Sequence, residues 1–255
     1  MRSSPAVAEP PPPELARALL RWYHLERRPL PWRADRDPYR IWVAEVLLQQ
    51  TRVAQAVPYF ERFMDAFPTV DVLAHAPLGR VLKVWEGAGY YARAHHLHEA
   101  ARRIVRDHGG RLPTTFSELE ELPGVGPYIA RAIASLAFGR PEVALEANGL
   151  RVAARWTREE GDVRDRPVRA RLEAALRSLL PPAHPGDFNE AVMELGETVC
   201  LPTRPHCPVC PVRLACRAYR ELDDPGRLPS RAARRRRPHL VGAVVVLSDH
   251  GRWLV

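Results

Sequence analysis

The sequence predicts an all-α protein followed by the opening of a β unit. Three observations carry this. Apolar residues recur at helical spacing through most of the 255 residues, proline and glycine pairs punctuate them, and two-residue alternation sets in only after residue 238. Leu15, Leu19, Leu20 and Tyr23 mark the first helix, after a proline run at 10–13 that closes a tail (1–13) expected to be disordered. Residues 39–135 read as almost wholly helical, broken at Phe67-Pro68, Ala76-Pro77, Gly109-Gly110 and Leu122-Pro123-Gly124. Two further helices fall at 167–180 and 188–199. Alternating sequence at 239–247, a turn at 248–251 and a resumption at 252–255 form a hairpin. An isolated hairpin is marginal in water, so 239–255 is expected to be the first hairpin of an incomplete β domain.

Composition narrows the class. A hydrophobic content of 46% supports a core without disulfide staples. No run approaches the ~18 apolar residues of a membrane helix, and the opening MRSSPAVAEPPPP lacks the apolar centre of a signal peptide. A cytoplasmic, nucleoid-associated protein is expected. The formal charge of +8 points to a polyanionic partner only weakly, because residues 226–238 hold six arginines and no acid, and without them the charge falls to +2. Residues 225–238 read as a basic linker. Lysine occurs once, at Lys83, against 37 arginines.

All four cysteines lie in one run, Cys200-x6-Cys207-x2-Cys210-x5-Cys216. Disulfides within so short a stretch would staple only a small loop, whereas four thiolates at these spacings suit structural zinc or an iron–sulfur cluster alike. Prolines 202, 205, 208 and 211 keep the segment out of regular helix, as a loop wrapped around a compact centre requires.

The run FSELEELPGVGPYIA at 116–130 reads as helix, glycine turn, helix, with Pro127 in the first turn of the second helix. This is a helix-hairpin-helix pattern. Gly124, Val125 and Gly126 would bring backbone N–H groups to a DNA phosphate, though a bare glycine turn between helices also occurs in proteins that bind nothing. Glu45 has Ile41, Trp42 and Leu48 as its helical neighbours, so it does not lie on a charged face. Desolvation there would raise its pKa into the range of a general acid, while pairing with Arg33 or Arg40 would make it a structural carboxylate.

These elements in this order resemble the helix-hairpin-helix DNA glycosylase superfamily, and within it the MutY family, from about residue 30 to 219. The resemblance is carried by LPWR at 30–33, EVLLQQTRV from Glu45, PYFERFM from Pro58, WEGAGYYARA from Trp85, LPGVGPY at the hairpin, FNEAVMELG from Phe188 and the cysteine spacing. It implies a two-lobed fold. Residues 14–29 and 141–224 would form a lobe bearing a 4Fe-4S cluster on Cys200, Cys207, Cys210 and Cys216 in the loop 200–216, and residues 30–140 a helical barrel lobe containing the hairpin near 116–135. It also implies a monomeric enzyme that binds duplex DNA with A:8-oxoguanine or A:G mispairs and flips the adenine out for hydrolysis of its glycosidic bond. Glu45 would protonate the purine and a second carboxylate would stabilise the oxocarbenium-like sugar, with Tyr128, Asn148 and Arg33 in support. Gln50, Thr51 and Tyr90 match positions that meet the duplex, Gln50 and Tyr90 as wedges unless they are packing residues.

Two features depart from neighbouring patterns. The endonuclease III family carries a strand-cutting lysine just after the hairpin, where this chain has Tyr128, so a monofunctional hydrolase is expected. The second carboxylate lies in Glu146-Ala147-Asn148-Gly149, where the family mostly reads Asp-Gly-Asn-Val. A β domain helps such enzymes read 8-oxoguanine, so a chain ending at residue 255 is expected to discriminate the oxidised base poorly. A lesion-binding protein without chemistry, or a glycosylase for another base such as thymine, are the competing readings.

Overall fold

The computed structural model describes residues 11–230, 247–249 and 252–254. Among the described residues the chain forms α1 (Pro13–Glu26), α2 (Pro38–Leu48), α3 (Val53–Ala66), α4 (Val70–His75), α5 (Leu78–Val84), α6 (Ala92–His108), α7 (Phe116–Glu120), α8 (Pro127–Leu136), α9 (Ala147–Thr157), α10 (Arg166–Leu179), α11 (Pro185–Thr198) and α12 (Arg217–Glu221). An antiparallel pair follows, β1 (Leu247–Asp249) and β2 (Arg252–Leu254), with Ser248 opposite Trp253. Ser248 and Asp249, expected in a turn at 248–251, belong to the strand. The tail at 1–10, most of the linker and most of the alternating run 239–247 lie outside the described residues.

Local chemistry sets the helix ends. Asp37 caps α2 by accepting from the N–H groups of Tyr39 and Arg40, with Pro38 in the first turn. Gly109 ends α6 in the left-handed conformation at φ 59°, where a side chain would be strained. Two interruptions and one helix escape a reading by periodicity. The chain also breaks at 49–52 and 85–91, the second over Gly87 and Gly89 at φ 90° and 73°. Helix α9 has Asn148 and Gly149, poor helix formers, in its first turn, but buries Leu150, Val152, Ala153 and Trp156 on assembly.

Two buried cores organise the helices. One gathers side chains of α2 to α8, centred on Trp42, Phe60, Phe63, Trp85 and Ile133. The other joins α1 with α9, α10, α11 and the cysteine loop around Leu19, Tyr23, Trp156 and Phe188. Helix α11 packs on α1, α8 and α9, and α2 packs on α8, so the faces of α2, α8, α9 and α11 meet where the cores adjoin. No helix among the described residues is long and apolar enough to cross a membrane.

Candidate active site

A cavity of ≈ 660 Å³ opens at that junction, lined among others by Arg33, Glu45, Gln50, Thr51, Tyr128, Glu146 and Asn148. Residues about 100 apart in sequence therefore share one site. Glu45 is 6% exposed in the middle of α2. Burial pushes its carboxyl up to about 7; the Tyr128 hydroxyl, placed to donate to it, pulls the value down, the charges of Glu146 and Glu190 push it up, and Arg33 lowers it. The alternative of a structural ion pair fails. Arg33 pairs instead with Glu190 at 3.2 Å and Glu194 at 2.8 Å, and Arg40 with Asp35 at 3.6 Å. Tyr128 projects from the first turn of α8, and burial together with Glu45 and Glu146 keeps its phenol protonated.

Glu146 is the N-cap of α9. One carboxylate oxygen accepts from the N–H groups of Asn148 at 2.8 Å and Gly149 at 3.2 Å, the positions an aspartate cap would reach. Its extra methylene is taken up by folding back onto the helix end. Burial raises its pKa, against those two backbone bonds and the charge of Arg151. The Asn148 amide is oriented at both ends, accepting from Arg151 at 2.8 Å and donating to Glu197 at 3.4 Å.

Sequence reasoning missed Glu190, Glu194 and Glu197, which line the same cavity from α11. Their signal was present as glutamates at i, i+4 and i+7 within one helix. Glu194 is 1% exposed and held below its usual pKa by Arg28 and Arg33, despite burial. Arg33 thus acts inside a carboxylate network, with its guanidinium also over the Tyr23 ring at 5.6 Å.

Of the hairpin and wedge candidates Gln50 lines the cavity, while Tyr90, Gly124, Val125 and Gly126 do not. Gly124 turns at φ 74°, and a Cβ there would stand 2.6 Å from the His96 Cβ, so the fold itself demands this glycine. Gly126 has ordinary backbone angles and open space around a would-be Cβ, which leaves the start of α8 approachable. Val125 has its side chain buried and its N–H donating to the Leu122 carbonyl at 3.0 Å, so it shapes the turn. Gln50 and Tyr90 are exposed, Tyr90 by 64%.

The four cysteines are free thiols on a loop of short turns between α11 and α12; Cys200 and Cys216 are buried in the second core, Cys210 packs against it, and Cys207 is half-buried. Burial pushes the thiols of Cys207, Cys210 and Cys216 up, Cys210 to about 12 and Cys216 to about 11, so a compensating cation is needed for them to ionise. No three His, Cys, Asp or Glu side chains among the described residues converge as ligands of one ion would. A four-iron cluster takes one thiolate at each iron and does not require that convergence. Arg155, 1% exposed, donates to the Cys200 sulfur at 3.2 Å and to the carbonyls of Leu201, Pro202 and Leu228. The donor set and this buried cation fit an anionic iron–sulfur centre.

An all-helical fold with a hairpin and a carboxylate-lined cavity defines a class, and comparison with known proteins agrees. The profile of the HhH-GPD superfamily base excision DNA repair proteins matches residues 43–178, and the chain belongs to this superfamily. Curated relatives include the adenine DNA glycosylases of Mus musculus, 45% identical over 213 residues (80% of this chain, 41% of the relative), and of Homo sapiens, 44% identical over 222 residues (84% and 41%). The chain thus spans less than half the length of these relatives. Among solved structures it resembles a thermostable thymine-DNA glycosylase, with a TM-score of 0.72 and 30% identity over 81% of this chain and 95% of that one. A trapped endonuclease III–DNA covalent intermediate, at 23% identity and a TM-score of 0.67 over 81% and 94%, shares the fold.

Proposed function

We propose that this protein is a monofunctional adenine DNA glycosylase that hydrolyses the glycosidic bond of adenine opposite 8-oxoguanine or guanine. The observation that carries the reading is Glu45, a buried carboxyl with a pKa of about 7 that faces Tyr128 and a second carboxylate across a cavity roomy enough for a base. At neutral pH a large share of Glu45 is protonated and able to donate to a flipped purine, which makes the base a better leaving group. Glu146, fixed by the α9 backbone, stabilises the positive sugar that develops as the bond breaks. Arg33 and Tyr128 hold the carboxylates in place. Lys83 is excluded as a Schiff-base lysine because it is 76% exposed and tied to Glu86. Adenine as the base rests on the glycosylase relatives at 44–45% identity.

The DNA face combines the hairpin turn at Gly124 and Gly126, the exposed Gln50 with Thr51 beside it, and Tyr90. Base release measured under single turnover on duplexes carrying A:8-oxoguanine, A:G and T:G tests the reading. Adenine release from the first two, with strands cut only after alkali, is expected. Tight binding without release would make the chain a lesion-binding protein, and thymine release would change its substrate.

Cys200, Cys207, Cys210 and Cys216 would hold the 4Fe-4S cluster, whose contribution is to fix the loop and its exposed Arg204, His206 and Arg213 for phosphate contact. Anaerobically purified protein should be brown, with broad absorbance near the violet end of the visible and about four irons and four sulfides per chain. Stoichiometric zinc without iron would overturn the assignment.

A further inference from the structure

The loop at 85–91 exposes Tyr90 in a conformation that needs an explanation. Tyr90 has φ 49°, in the left-handed region where a tyrosine is strained. Arg93, in the first turn of α6, accounts for how it is held. One guanidinium nitrogen donates to the carbonyls of Ala88 at 3.0 Å and Gly89 at 3.2 Å, fastening the loop. The other donates to Val46 at 2.7 Å and Leu47 at 3.1 Å, the carbonyls that follow Glu45 at the end of α2. The guanidinium also lies 5.4 Å from the Tyr90 ring centroid and 5.5 Å from that of Trp85, whose indole N–H donates to Gly89.

Arg93 is expensive to keep there. Among the described residues no carboxylate pairs with it, its Nε is buried without a hydrogen bond, and burial lowers its pKa. One planar cation nevertheless joins the exposed aromatic ring to the helix that carries the acid, using contacts that a lysine could make only in part.

We propose that Arg93 is a positioning residue that couples insertion of Tyr90 into the duplex to the placement of Glu45. The coupling rests on the glycosylase reading above. When Tyr90 stacks on bases its contact with Arg93 shifts, and the same guanidinium holds the end of α2, so a wedged ring and an aligned acid become one state.

A double-mutant cycle tests this with Tyr90→Ala, Arg93→Met and their combination, read as base release at saturating protein well below the Tm. Fluorescence of 2-aminopurine at the flipped position, with Glu45→Gln present, gives a second readout. Each single change should slow release by about 30-fold and reduce the flipping signal similarly, because small misplacement of a catalytic group is costly. The double variant should be little worse than either single one. Arg93→Lys should recover part of both signals, and it completes the cycle if Arg93→Met does not fold. Losses that multiply in the double variant, or an Arg93→Met rate equal to the parent's, would overturn the coupling. If the parent releases no base from any duplex, the glycosylase reading fails and the coupling fails with it, whereas a parent that releases base but shows multiplying losses in the double variant overturns the coupling alone.

Discussion

Replacing Glu45 by glutamine is expected to reduce adenine release by at least about a thousandfold while making the folded chain more stable above neutral pH. The two effects share a cause. Burial raises the carboxyl to about 7, against about 4.5 in the unfolded chain. Below the lower value both states are protonated and burial carries no electrostatic penalty. Between the two values the folded state keeps a proton that the unfolded state has lost, so stability falls as pH rises, by about 3 kcal/mol once both are ionised. Glutamine is neutral throughout and escapes that loss. The Tm of Glu45→Gln should therefore match the parent near pH 4 and exceed it by several degrees at pH 8. The parent's single-turnover rate should decline above pH 7 as the acid loses its proton, and bound phosphates would move that limb higher. Glu45→Gln protein that released adenine at the parent's rate, or gained no stability at pH 8, would remove the general acid.

Glu146→Gln is expected to lose about 100- to 1,000-fold in rate with its fold intact. The amide oxygen of glutamine can still accept from Asn148 and Gly149, so the cap of α9 survives while the charge facing the sugar is gone. Glu146→Asp is the informative companion. Aspartate is the better cap, and the present side chain already bends back to the N–H groups an aspartate would reach, so stability should hold or rise. Its rate should lie between unchanged and faster. Thermal melting and single-turnover release on the same preparations check both changes. A fully active Glu146→Gln would show that another carboxylate of the cavity serves the sugar, with Glu190 the first to examine.

The cavity shows how legible a site can be when its residues lie far apart. Glu45 stood out because an acid among Ile41, Trp42 and Leu48 is anomalous at helical spacing. The resemblance assigned it a role, as it did Glu146, Tyr128, Asn148 and Arg33. The glutamates of α11 were not anomalous, since charges four residues apart on a helix usually mark a wet face. Only the packing of α11 on α8, α9 and α1 turns Glu190 and Glu194 inward to meet Arg33 and Arg28. Arg93 was equally silent, one arginine among 37, and its weight comes from carbonyls of another helix.

The sequence by itself determined the all-helical class, most helix boundaries, the hairpin turn and the four cysteines in one loop, because periodicity, proline and glycine act over a few residues. The tertiary structure decided that Glu45 has no ion-pair partner, that Glu146 spends one oxygen on a helix end, that Val125 faces the core, and that one guanidinium spans Tyr90 and α2. Those depend on which surfaces exclude water together, and desolvation and hydrogen bonding are fixed by neighbours in space.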